Sequence, residues 1–333
     1  MSLAKLRIAF VADTLFEPIG GGVIAGRHFV ERLRESHDVI VVGADATGRN
    51  DVLLPGFQLP LRAMRTMRFV MARPVTTKIA HAVAAVDIVH LQFPFWLSLA
   101  VLEEARRAGR PVVAAFHVQP ENATLNVGLR AAWVDRALYA FWVERLYNRV
   151  DAVICPTSFA ERKLREHGLT AKSVVISNGV PPDMFAEAPL VRPLDRSPGG
   201  EIVLLAVGRL SAEKRHDVLV RAVARSRHKS RIQLVLSGAG PRDVRLRRLS
   251  RALGVNAAIG YLPRDVLRRL FFSADLFIHP SEVEPEGISV LEAMSAGLPV
   301  LIAESSESAA SDWTPDPRFR FPRWDVSALA ERL

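Results

Sequence analysis

Short runs of valine, isoleucine, leucine and alanine alternate with longer stretches of helical periodicity along the whole chain. No other feature constrains the fold as strongly. Strand-length runs without polar interruption belong to parallel sheets covered on both faces, and the helical stretches between them supply the cover. In the first half the pattern predicts strands at 6–12, 39–43, 88–92, 112–117, 152–156 and 174–177. In the second it predicts them at 202–207, 232–237, 257–261, 275–279, 300–303 and 319–321. The halves repeat one βαβ plan, so the expected class is α/β with two doubly wound sheets.

At 333 residues the chain exceeds one usual core. Asn178-Gly179-Val180-Pro181-Pro182 is a turn followed by a stiff segment, and 192–200 is polar and rich in Pro and Gly. The expected domains are therefore 1–180 and 181–333. Ligands of doubly wound sheets bind beyond the carboxyl ends of the strands, so each domain is expected to supply one wall of a cleft. The lone Cys155 fits a reducing, cytoplasmic setting. No apolar run approaches the ~20 residues of a membrane span, and the start of the chain has no leader pattern. A net charge of +9 favours anionic partners: nucleic acid, acidic lipid or phosphorylated small molecules. An arginine-rich proteome accounts for it equally well.

Gly208-Arg209-Leu210-Ser211-Ala212-Glu213-Lys214-Arg215 leaves the first strand of the second domain. Gly208 permits a tight exit, Arg209 offers a planar fork for phosphate oxygens, and Lys214 adds a compact charge. Ser211 is expected to cap the next helix, whose N-terminus also favours an anion. Two solvated basic residues on a loop are the plainer alternative.

The most informative stretch is 281–300. Pro285 and Gly287 mark a loop, a short helix starts near Gly287, Gly297 suits its C′ position, and Pro299 stops it. Ile288, Val290, Leu291 and Met294 cover most of its circumference, so extensive burial is expected. Glu292, its only charge, then needs a polar partner. The hydroxyl pair of a ribose is one such partner. Glu284 lies in the preceding loop, about 8 to 12 Å from Glu292 by helical rise. That span suits a nucleotide-sugar, with the helix N-terminus towards its diphosphate. A salt-bridged Glu292 with a solvated Glu284 fits the spacing as well.

The stretch resembles the Glu-x7-Glu motif of the retaining glycosyltransferases of family 4, which have the GT-B fold: two Rossmann-like domains facing across a cleft. Around it, in the family's order across 202–303, stand the Gly-Arg…Lys loop, Ser237-Gly238-Ala239-Gly240-Pro241, Gly260-Tyr261-Leu262-Pro263 and Ala274-Asp275-Leu276-Phe277-Ile278-His279-Pro280-Ser281. A fainter likeness reaches the first domain through Gly20-Gly21-Gly22, Phe116-His117, Cys155-Pro156-Thr157-Ser158 and Asn178-Gly179-Val180. The resemblance implies transfer of a sugar, with retention, from a UDP- or GDP-sugar to a hydroxyl acceptor. It implies diphosphate contacts at Gly208, Arg209 and Lys214, ribose contact at Glu292, and a base pocket around Tyr261 and Leu262. The sugar would be held by Glu284 and, from the first domain, His117, with backbone amides at Gly287 and Ile288 serving both the diphosphate and the sugar. Three departures stand out: Arg215 replaces a usual glycine, Glu286 a usual aromatic residue, and 305–320 lacks a usual Gly-rich pattern. The chain also ends in a helical stretch at 326–333 where family members commonly continue into a helix returning to the first domain, so truncation is an expectation.

The family's chemistry is commonly described as same-face attack through an oxocarbenium-like state, with the leaving phosphate taking the acceptor's proton. The protein then contributes positioning and charge stabilisation. Neither cofactor nor metal is expected, since no His/Asp/Cys cluster has ligand spacing. Gly20, Gly21 and Gly22 permit close approach of an acceptor or phosphate to the backbone. A dinucleotide site there, with Asp45, is disfavoured because 15–18 separate the glycines from the strand. His28, His37 and His90 read as surface or packed residues.

Arg62, Arg65 and Arg68, beside Leu61, Met64, Met67 and Phe69, form either a basic amphipathic helix on anionic lipid or an ordinary packed helix. The first would place the protein at the inner face of a membrane. Leu138, Phe141, Trp142, Leu146 and Tyr147 read as core packing. His117-Val118-Gln119-Pro120-Glu121-Asn122 resembles a subgroup containing lipid and polysaccharide transferases, which implies an acceptor in glycan biosynthesis. No interleaved aromatic platform suggests nucleic acid as a partner. A silent sugar-nucleotide-binding protein and a GT-B epimerase or phosphorylase remain the alternatives.

Overall fold

The computed structural model describes residues 4–16, 20–44, 49–58, 69–129, 131–184 and 200–333. Asp45, Leu61, Arg62, Met64, Arg65, Met67, Arg68 and the 192–199 segment lie outside them. The chain divides into two compact units, Met1–Asn178 and Gly179–Leu333.

The first unit runs β1 (Arg7–Val11), α1 (Gly21–Arg34), β2 (Asp38–Gly43), β3 (Val52–Leu53), β4 (Gly56–Phe57), β5 (Met71–Ala72), α2 (Thr76–Ala84), β6 (Ile88–Leu91) and α3 (Trp96–Arg107). It continues through β7 (Val112–Ala115), α4 (Pro120–Asn126), α5 (Ala132–Arg145), β8 (Ala152–Cys155), α6 (Ser158–Glu166) and β9 (Ser173–Val175). Its main sheet has the order β3-β2-β1-β6-β7-β8-β9, every neighbour parallel. Successive residues of β1 feed opposite layers: Ala9 and Val11 join one apolar cluster, Ile8 and Phe10 the other. That two-sided burial is what the unbroken apolar runs require. The antiparallel pairing of β4 with β5 was not foreseen, because two-residue strands leave no periodicity to read.

The second unit runs β10 (Ile202–Val207), α7 (His216–Arg225), β11 (Ile232–Ser237), α8 (Asp243–Ala252), β12 (Ala257–Gly260), α9 (Arg264–Ser273), β13 (Leu276–His279), α10 (Ile288–Ser295), β14 (Val300–Glu304), β15 (Arg320–Pro322) and α11 (Val326–Arg332). The sheet order is β12-β11-β10-β13-β14-β15, again wholly parallel. Leu204 and Ala206 face one apolar cluster and Leu205 the other.

Strand order reverses between β1 and β6 in the first unit and between β10 and β13 in the second. Beyond the carboxyl ends of such a pair the outgoing loops diverge, and a ligand can enter. In the second unit those loops are the Gly208–Lys214 segment and the Glu282–Gly287 segment. Chain topology alone therefore brings the phosphate-loop candidates beside the two-glutamate stretch.

Two packing expectations need correction. On α5 Trp142 is buried, as are Leu146 and Tyr147 just beyond it, but Phe141 is 46% exposed and Trp133, at the helix's start, is 69% exposed. On α10, Val290, Glu292 and Ala293 are buried, whereas Met294 is exposed and Ile288 and Leu291 are half-buried. A helix of eight residues laid on β13 and β14 has one packed side; counting apolar residues around its circumference overstated the burial.

Candidate active site

Two glycines fix the phosphate-loop backbone. A Cβ at Gly238 would stand 1.9 Å from the Gly208 carbonyl oxygen, and one at Gly240 would stand 2.5 Å from that of Leu210. The β10 exit can therefore lie against the β11 exit only with glycine there, and backbone bonds from Gly208 N to Ser237 O and from Leu210 N to Ala239 O close the contact. Ser211 does not cap the next helix. Its hydroxyl donates to Glu213 Oε1 at 2.6 Å, while α7 starts only after Arg215, which caps without a side-chain bond.

Glu213 had not been singled out, yet it organises the loop. It is fully buried and lies 2.8 Å from Arg209 Nη2. Burial raises its pKa, but Arg209, then Lys214 and the Ser211 hydroxyl, outweigh that and hold it below the usual carboxylate range. Its backbone carbonyl also receives the Glu282 amide at 2.8 Å and the Ser281 hydroxyl at 3.3 Å. One residue thus aims Arg209 and pins the phosphate loop to the glutamate loop.

Lys214 reaches Glu284 and forms a salt bridge with it; their side chains are 14% and 11% exposed. His279, at the end of β13, places Nε2 3.2 Å from the same Glu284 oxygen. That nitrogen makes no hydrogen bond of acceptable geometry, so the contact is close but misaligned. Burial would raise the Glu284 pKa, but Lys214 and then His279 reverse the effect and hold it well below the carboxylate range. Glu284 is therefore buried and ionised, not solvated as the plainer sequence alternative had it.

The Glu284 backbone is held by a segment without the family's glycines. Its amide donates to Glu307 O at 3.1 Å, its carbonyl receives Ala309 N at 2.9 Å, and Trp313 Nε1 donates to Glu286 O at 2.7 Å. Glu286, standing where an aromatic residue is usual, is itself buried. Gly287 caps α10 at φ 91°, a left-handed conformation that suits glycine, and leaves the first amides of the helix, Ile288 among them, beside this loop.

Glu292 is buried and pairs with Arg264 Nη1, 2.5 Å away on the first turn of α9. Glu292 is therefore salt-bridged, as the plainer sequence alternative had it. Arg264 follows Tyr261 and Leu262, of which Tyr261 is 58% exposed and Leu262 packs partly on the core. Arg215 adopts φ 51°. That left-handed conformation is one a glycine adopts without strain, and here the arginine guanidinium lies 5.7 Å from the Trp324 ring centre.

In the first unit, Gly20 precedes α1 at φ 108°, and Gly21 and Gly22 form the first turn of that helix. A Cβ at Gly22 would meet Phe93 at 3.1 Å and His117 at 3.2 Å, so the glycine serves close packing of α1 on the β7 exit. Gln92 Nε2 donates to the Gly22 carbonyl at 2.8 Å, and its own carbonyl oxygen meets His90 Nε2 at 3.2 Å. His117 is buried with Nε2 unpaired, and burial, followed by the neighbouring His90, pushes its pKa down to about 3. A neutral imidazole with a free ring nitrogen remains at the strand end.

A family profile described as "Glycosyltransferase Family 4" matches residues 19–184, and one described as "Glycosyl transferases group 1" matches 192–313. A GDP-mannose-dependent alpha-mannosyltransferase of Mycolicibacterium smegmatis is 27% identical over 318 residues, covering 90% of this chain and 80% of its own. An alpha-monoglucosyldiacylglycerol synthase of Streptococcus pneumoniae is 24% identical over 314 residues, covering 89% and 70%. Among solved structures, Anabaena HepE in complex with UDP-glucose superposes with a TM-score of 0.74 at 18% identity, covering 98% of this chain and 88% of its own. At that identity the likeness speaks for the fold.

Proposed function

The chain belongs to the family 4 glycosyltransferases, with the GT-B fold, and uses a nucleotide-sugar; from that premise we propose how its residues divide the work. Arg209 and Lys214 take the donor diphosphate, assisted by the backbone at Gly208 and the α10 amides at Gly287 and Ile288. Glu292 takes the ribose hydroxyls, with Tyr261 and Leu262 beside the base. Glu284 holds the transferred sugar, and His117 supplies the first unit's contact to it. Gly20, Gly21 and Gly22 serve the acceptor side. The observation that carries this reading is the alternation of charge at the second switch point. Cations suited to a diphosphate and carboxylates suited to hydroxyl pairs stand together on one set of loops.

The reaction retains anomeric configuration. The acceptor oxygen bonds to the anomeric carbon as the bond to the diphosphate oxygen breaks, and the acceptor's proton passes to the departing phosphate. Arg209 and Lys214 stabilise the charge that grows on that phosphate. With two cations in that role the step requires neither metal nor cofactor, so chelator should leave turnover unchanged.

We assign the donor to the GDP- or UDP-hexoses and the acceptor to a hydroxyl on a lipid or polysaccharide precursor, met at an anionic membrane surface. The mannosyltransferase and glucosyldiacylglycerol synthase relatives support that range. No described helix is long and apolar enough to cross a membrane, so the contact proposed is peripheral.

The test is a panel of UDP-, GDP- and ADP-sugars scored for thermal stabilisation and for transfer or slow hydrolysis. Stabilisation without turnover would indicate a silent binding protein, and no response to any donor would refute the site. Glu284→Gln should cut turnover while nucleotide binding persists, whereas Glu292→Ala should weaken binding of the nucleotide itself.

A further inference from the structure

The chain's positive charge is concentrated in one place. Residues 221–251 contain ten Lys and Arg against the single acid Asp243. The other 302 residues then hold 34 of each sign, out of 44 and 35 for the whole chain. An arginine-rich proteome would spread its excess; here the +9 of the whole molecule is the surplus of one 31-residue segment.

The fold gathers that segment onto adjacent elements. Helices α7 and α8 follow neighbouring strands and pack against each other. Their apolar residues, Leu219, Val223 and Leu246 among them, point into the core. The arginines are left outside: Arg221, Arg225 and Arg227 in and after α7, and Arg245, Arg248 and Arg251 along α8, are all exposed. Among the described residues of this segment, only Arg242, 3.5 Å from Asp217, and Arg247, beside Asp243, meet a carboxylate. An open hollow of about 500 Å³, lined by Arg227, Lys229, Ser230, Gly254 and Asn256, lies in the same region. Like charges so crowded repel one another unless an external anion is present.

We propose that this α7–α8 face of the second unit is an electrostatic docking surface for anionic lipid headgroups. Two features favour a lipid surface over nucleic acid. The cations lie mostly on helix exteriors, and residues 221–251 contain no Phe, Trp or Tyr to stack a base. The exposed apolar residue in the segment is Val244, at 61%, so attachment is by charge and not by insertion. The inference rests on the membrane contact proposed above and names the surface that makes it.

The test uses the full chain with phosphatidylglycerol–phosphatidylcholine vesicles and with phosphatidylcholine vesicles alone. Cosedimentation is expected only with the anionic vesicles, and should fall as salt is raised. The variant Arg245→Glu/Arg248→Glu/Arg251→Glu leaves the buried side of α8 intact. It should lose at least about a hundredfold in vesicle affinity, roughly fivefold for each cation removed, with repulsion of the three added carboxylates on top. Donor-induced thermal stabilisation of the same variant should be unchanged, which shows that it is folded. If the variant binds as well as the parent, this surface is wrong while the membrane reading stands. If the parent binds neither vesicle, both fall. Tighter binding to RNA than to anionic vesicles, lost in the same variant, would overturn the lipid assignment.

Discussion

Replacing Lys214 by methionine removes the main counter-charge of Glu284 and leaves most of the lysine's apolar stem in place. Glu284 is 8% exposed, so its carboxylate cannot recover the lost interaction from water. Breaking a buried pair from one side costs about 3 to 5 kcal/mol. His279 remains 3.2 Å from the carboxylate, which places the expected loss near the lower end, about 3 kcal/mol. Glu284→Gln should cost less, about 1 to 2 kcal/mol, because the amide keeps an acceptor for Lys214 and the ammonium sits on a flexible stem that can turn towards water. The double variant should then be more stable than the sum of the single losses predicts, by about 2 kcal/mol. Hydrogen exchange of the β10 and β13 amides measures this for the second unit alone. The pH dependence checks it independently. Glu284 titrates lower in the folded chain than its ordinary value of 4.5, so its contribution is present above that value. It is lost as pH falls towards the folded value, and the loss should vanish in Glu284→Gln. Additivity of the two single changes within about 0.5 kcal/mol would refute the coupling and with it the ion-pair account of the site.

Two further outcomes follow from positions outside that pair. Gly238→Ala puts a methyl group 1.9 Å from the Gly208 carbonyl oxygen; it should cost about 3 kcal/mol and abolish donor-induced thermal stabilisation, because the phosphate loop must move. Asp13, buried at the end of β1, has a carboxyl pushed up to about 7 by burial, despite the 2.9 Å bond from Ala72 N. The folded chain then holds a proton that the unfolded chain loses near 3.8, so this group's contribution to stability falls as pH rises between those values, by at most about 4 kcal/mol. Asp13→Asn keeps the acceptor for Ala72 and should raise the thermal midpoint more at pH 8 than at pH 5; an equal gain at both would refute it.

The strands were legible because a parallel strand buried on both faces leaves an unbroken apolar run, as at 202–207 and 232–237. The glutamate loop was legible because glycine and proline punctuate it. Interactions between distant segments left no local trace. Arg264 is 28 residues from Glu292, and the Glu307–Ala309 backbone that holds Glu284 lacks the glycines expected there. Glu213 looked like one more loop acid; only its neighbours reveal that it aims Arg209. Arg215 read as a departure from pattern, yet its φ of 51° is a left-handed conformation that a glycine adopts without strain. For Phe141, residue type suggested burial, and the sequence held no sign that its side of α5 is uncovered.

The side chains of the proposed donor site pair with one another: Arg209 with Glu213, Lys214 with Glu284, Arg264 with Glu292. A donor therefore enters by exchanging partners. Glu213 is fully buried and cannot be released, so Arg209 must keep it and meet phosphate with its remaining N–H groups, of which a guanidinium has enough. On the proposed assignment Lys214 is drawn towards the diphosphate, and Glu284 then needs hydroxyl donors in its place. A nucleoside diphosphate alone provides the phosphates and the ribose, but offers nothing to Glu284; only the sugar completes the exchange. The site should accordingly prefer the intact donor to the bare nucleotide, which favours release of the spent product. Glu284→Gln removes the stranded charge, so the ratio of nucleotide-sugar to nucleotide affinity should fall towards one. Calorimetry of both ligands on parent and variant reads that ratio directly, and an unchanged ratio would remove Glu284 from the sugar.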